Sequence, residues 1–66
     1  MELLINGEKR AVSGAKNITE LVGVLGLEPK MVLIEHNGTA LSRSEWPSRP
    51  VKSGDQLEIL RVSAGG

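Results

Sequence analysis

The sequence contains no cysteine and a single aromatic residue, Trp46, and its eight basic and eight acidic side chains cancel. Each shortage excludes something. Without cysteine the chain has no disulfide and no thiol chemistry of its own, and with His36 as its one histidine it has too few of the usual ligands for a zinc site. A net charge of zero leaves no electrostatic footprint for duplex or single-stranded nucleic acid, and one aromatic cannot build a stacking platform for bases. The longest apolar runs are only a few residues, as at Met31 to Ile34, and the Met1-Glu2 start has no basic region. Neither a signal peptide nor a membrane span is expected, and a soluble, cytoplasmic protein is the corresponding expectation. At 66 residues the chain is expected to be one domain. A chain so short buries roughly 60% of the surface it exposes when unfolded, which leaves little room for a deep substrate pocket.

What is present falls into an ordered series of short elements. Met1 to Ile5 is apolar and precedes Asn6-Gly7, a dipeptide suited to the positive φ angles of a tight hairpin. The return run, Glu8 to Ser13, begins Glu8-Lys9-Arg10, a charged composition that suits a sheet edge. The period then changes: Ile18, Leu21, Val22 and Leu25 form one stripe of an α-helix. Asn17 and Glu20 have the spacing of a capping box, Gly26 suits a left-handed stop, and Pro29 prevents continuation beyond Glu28. Gly23 within the helix costs about 1 kcal/mol relative to alanine, and either permits close approach to the sheet or has no special role.

Met31 to His36 reads as a third strand, buried for most of its length and closed by Asn37-Gly38. Thr39 to Pro50 reads as loop with one helical turn around Ser44-Glu45-Trp46, in which Trp46 serves as a structural plug. A final strand spans Gln56 to Val62, with Leu57, Ile59 and Arg61 on one face and Glu58, Leu60 and Val62 on the other. A hairpin, a helix and further strands imply an α+β fold with the helix packed across one face of the sheet.

Side-chain catalysis finds little support. His36 reads as a solvated strand-end histidine and Asp55 as a turn residue that bonds local backbone. No phosphate loop or nucleophile elbow occurs. The terminus Ser63-Ala64-Gly65-Gly66 is different, because two final glycines can mark a frayed end, an expression scar or a slim reactive tail. The third reading has physical content. A terminal carboxylate with a pKa of about 3.5 is ionised at neutral pH and can attack the α-phosphate of ATP. Residues lacking Cβ can thread a narrow channel in an activating enzyme, and four extended residues reach roughly 13 Å.

The Gly54-Asp55-Gln56-Leu57-Glu58-Ile59 run, the Glu45-Trp46 turn and the Ala64-Gly65-Gly66 terminus resemble the ThiS family, the small ubiquitin-like sulfur carriers of thiamine biosynthesis. The resemblance covers essentially the whole chain. Its Gly-Asp strand leading to Gly-Gly is shared with the small subunit of molybdopterin synthase, but the length and the Trp46 segment look more like the thiamine carriers. The resemblance implies a β-grasp fold, with a mixed sheet of four to five strands and one main helix. Residues 1–62 would form the domain and 63–66 the flexible tail.

It also implies a carrier and co-substrate, not an enzyme, that binds no cofactor stably. Gly66 would be adenylated by an E1-like adenylyltransferase using MgATP, and a persulfide from a cysteine desulfurase or sulfurtransferase would displace AMP to give a thiocarboxylate. The acceptor would be thiazole synthase. Ser63, Ala64 and Gly65 would supply the activation tail, and Ser63 stands where some relatives carry a bulkier apolar residue. Sulfur delivery to molybdopterin or a tRNA base, and conjugation to proteins through Gly66, are the alternatives. If Leu57 and Ile59 face the helix, Leu60 and Val62 face away and, with Leu4, are expected to form a partner interface on a chain that is monomeric when free. The competing expectation packs them under the Thr39 to Pro50 loop.

Overall fold

The structure is a computed structural model that describes residues 1–62. Its elements are β1 (Glu2–Ile5), β2 (Glu8–Ala11), α1 (Ile18–Val24), β3 (Val32–His36), β4 (Thr39–Leu41) and β5 (Gln56–Arg61), with 3₁₀ turns at Pro29–Met31 and Arg43–Ser48. The strands form one sheet in the order β2-β1-β5-β3-β4. Only β1 and β5 run parallel, with Leu4 opposite Gln56 and Ile5 opposite Leu57. The other neighbours are antiparallel. This mixed five-stranded sheet with one helix on one face is the β-grasp arrangement.

Both hairpins turn on Asn-Gly. Asn6 and Gly7 have φ of 51° and 81°, and Asn37 and Gly38 have 49° and 84°, the positive pair that a type I′ turn needs. The helix begins as its sequence dictates, with the Asn17 side chain accepting from the Glu20 N–H at 2.8 Å. The Glu20 carboxylate reaches back to the N–H of Lys16, one residue before the cap. At the far end Gly26, at φ 71°, lets the Leu27 N–H reach the Val22 carbonyl and its own N–H reach that of Gly23. Ile18, Leu21 and Val22 are buried against Leu3, Ile5, Val32, Ile34 and Leu57 from the sheet.

The structure corrects three details of the sequence reading. The third strand begins at Val32 and alternates, burying Val32, Ile34 and His36 while Leu33 and Glu35 face solvent. Its apolar run therefore marks two used faces, only one of them core. Thr39–Leu41 is a short edge strand, paired with β3 through the register Ile34 to Leu41. Of the two readings of Gly23, the one without a special role holds, since a Cβ there would meet nothing within 4 Å. The last strand ends at Arg61, one residue early. The plug role holds: Trp46 is buried in the core at the centre of the Arg43–Ser48 turn, which Ser42 and Glu45 close as a reciprocal capping box.

Candidate functional site

The central strand β5 is the last described element and joins β1 on one side to β3 on the other. Even-numbered residues bond towards β3, as when the Asn37 N–H donates to the Gln56 carbonyl and the Val62 N–H to that of Met31, both at 2.8 Å. On the other edge β1 is too short to pair beyond Leu57, and Asn6 extends it. Its side-chain oxygen accepts from the Ile59 N–H at 2.7 Å, and its amide donates to the Ile59 carbonyl at 3.1 Å. The amide thus stands in for one more residue of ladder. Leu57 and Ile59 pack downwards on the core. β5 is thus held on both edges and from beneath as far as Ile59, and on the β3 side alone from there to Val62.

The outer face of the sheet is where this anchored strand meets solvent. Leu60 is 63% exposed and lies directly opposite Leu33, which is 51% exposed. With Ala40 and Leu41 they border a shallow depression of about 290 Å³. The loop after β4 does not cover them. Leu4, half-buried, shares this face but registers with Gln56, at the opposite end of β5 from Leu60. Val62, also half-buried, lies just past β5 and lines a separate depression with Gly26, Leu27, Met31 and Val32. The structure thus brings Leu60 together with Leu33, a residue the sequence reading left in the core, and separates it from Leu4 and Val62. The available signal was Glu35: a charged residue facing out requires its i−2 neighbour to face out too. Ser63, Ala64, Gly65 and Gly66 lie outside the described residues.

His36 departs most from expectation. It is 5% exposed, not solvated. The Arg49 Nε–H donates to Nδ1 at 2.8 Å, so Nδ1 is the acceptor, and Nε2 carries the proton that it donates to Asp55 Oδ2 at 2.7 Å. A buried imidazole needs such partners, and Asp55 supplies one from 19 positions away. Asp55 also accepts from the Lys52 N–H and from the Asn37 amide. Burial pushes its carboxyl up, but the bonds from His36, Lys52 and Asn37 together hold it below the ordinary carboxylate value. Both ring nitrogens are occupied, so the arrangement ties β3, β5 and the segment after the 3₁₀ turn together and offers no free base. Among the described residues no three His, Asp or Glu side chains group as a metal site, and no helix is long and apolar enough to cross a membrane.

The described residues form a small ubiquitin-like domain with an open apolar patch on the outer face of its sheet. The profile of the ThiS family matches residues 3–66. The chain belongs to the ThiS family. It is 36% identical over 62 residues to the sulfur carrier protein ThiS of Thermus thermophilus, with 94% of this chain and 95% of that protein covered. All of it aligns, at 36% identity, with a thiazole synthase from Paramagnetospirillum magneticum, of whose length it spans 20%. The crystal structure of the thiamine biosynthesis protein ThiS from Geobacter metallireducens matches it with a TM-score of 0.84 and 38% identity over the whole of both chains.

Proposed function

We propose that this protein is a sulfur carrier of thiamine biosynthesis whose Gly66 carboxylate is the carrying group. The observation that carries the reading is the family match across residues 3–66, which includes the Gly-Gly end. The anchored β5 supports it by supplying a rigid base for the tail. A carboxylate oxygen of Gly66 attacks the α-phosphate of MgATP on an E1-like adenylyltransferase, and pyrophosphate leaves. A persulfide sulfur from a cysteine desulfurase or sulfurtransferase then attacks the acyl carbon, and AMP departs with one carboxylate oxygen. A second thiol cleaves the resulting acyl disulfide, itself becoming disulfide-bonded, and releases the thiocarboxylate.

Thiazole synthase is the acceptor in this reading. Support comes from the alignment of the whole chain with one fifth of a thiazole synthase, since a carrier-like segment and its acceptor then share a single chain. The carrier's own work is binding and presentation: the Leu33–Leu60 surface docks, and the tail reaches. MgATP and the sulfur chemistry belong to the partners, consistent with a chain that has no cysteine.

The test is co-expression with an E1-like adenylyltransferase and a sulfur donor, followed by intact-mass analysis. Replacement of one oxygen by sulfur, mapped to Gly66, is the expected result. No exchange in the wild-type chain, together with intact thiamine synthesis after deletion of Gly66, sinks the proposal.

A further inference from the structure

The antiparallel register of β3 and β5 sets Glu35 directly opposite Glu58, one pair along from Leu33 and Leu60. Both carboxylates are exposed on the outer face. Like charges directly opposite one another weaken a sheet. No cation relieves them: the ion pair formed among the described residues is His36 with Asp55, at the other side of β3. On β4 the residue opposite Glu35 is Ala40, and Lys9 on this face of β2 lies beyond β1, opposite Leu4. A chain with eight basic residues has the means to neutralise this pair and leaves it bare, beside its most exposed apolar side chains.

We propose that this surface is read by a protein partner that lays an arginine across Glu35 and Glu58 while seating an apolar side chain on Leu33 and Leu60. The inference rests on the carrier reading above and names the chemistry of its docking face. One guanidinium placed between two carboxylates satisfies both with charge-assisted bonds and cancels the repulsion of the free protein. Apolar contact alone accepts many surfaces, whereas the paired carboxylates repel any that brings an acidic residue to that point. The face is therefore selective for a partner whose contact patch is apolar and basic, and the association is salt-dependent.

Glu35→Gln, Glu58→Gln and the double variant test this. The free proteins are compared by thermal melting, and their affinities for the purified E1-like adenylyltransferase and thiazole synthase are measured at low and high salt. The double variant is expected to melt no lower than the wild type, because the repulsion is gone. It should bind at least one partner roughly tenfold more weakly at low salt, with a flatter salt dependence. Unchanged affinity and salt slope for both partners overturns the inference, as does a loss of affinity that tracks a loss of stability. Intact-mass analysis of the same samples separates the two readings. Normal sulfur exchange in a double variant that binds like the wild type sinks only the arginine-reading surface. A wild-type chain that neither binds nor exchanges sinks the carrier reading and this one with it.

Discussion

The Nε2 of His36 and the Oδ2 of Asp55 lie 2.7 Å apart, joining the last residue of β3 to the residue that precedes β5. With Arg49 on the far side of the ring, this bond ties three segments that are distant in sequence. The Asp55 carboxyl is held below its ordinary value of 3.8, burial being outweighed by the bonds it accepts. A depressed folded value means that the stabilisation is fully present above the unfolded value and is lost as pH falls through the folded one. Asp55→Asn is expected to cost about 1–3 kcal/mol at neutral pH. Urea unfolding at a series of pH values checks it: the gap between wild type and variant should be constant above 3.8 and shrink below it. A gap independent of pH throughout contradicts the assignment.

Asn6 carries two separable contributions, a left-handed backbone and the paired bonds to Ile59. Asn6→Gly keeps the backbone and loses the bonds, at about 1–2 kcal/mol. Asn6→Ala loses both and should cost roughly 1 kcal/mol more. Hydrogen exchange at the Ile59 amide reports the local effect: protection should fall equally in the two variants, because each removes its acceptor.

Gly23→Ala is expected to stabilise the fold by about 0.5–1 kcal/mol, since the site is exposed, helical and open. For a domain of this size that raises the melting temperature by roughly 2–8 °C. A drop on calorimetry contradicts the open surroundings from which the prediction is made.

Much of the fold was legible because it rests on local rules. The Asn6-Gly7 turn, the Ile18-Leu21-Val22 stripe, the Asn17 cap and the Gly26 stop each follow from residues within a few positions of one another. What escaped depends on distant partners. The burial of His36 requires Asp55 and Arg49, and the two hydrogen bonds between Asn6 and Ile59 require the parallel crossover of β5. β4 was missed because three residues carry no period of their own and are a strand only through pairing with β3. The outward placement of Leu60 was readable from alternation, but its neighbour was not. Which residue lies beside it is set by the β3–β5 register, and that places Leu33 there in preference to Leu4 or Val62.

That register gives the last prediction. Leu60 contributes little to the core, so Leu60→Thr, which keeps a strand-favouring branched side chain, should alter stability by no more than about 0.5 kcal/mol. If the Leu33–Leu60 pair is buried by a partner, removing one leucine forfeits roughly 1.5–3 kcal/mol of binding, or about 10- to 100-fold in affinity. Leu4→Thr, at the other end of the face, should cost much less. Titration calorimetry of both variants against the E1-like adenylyltransferase and thiazole synthase ranks the positions. Equal losses at Leu4 and Leu60 place the contact across the whole face, and a loss confined to Leu4 moves it to the Gln56 end of β5. A large loss at Leu60 with the melting temperature intact puts docking at the Leu33–Leu60 end of the outer face.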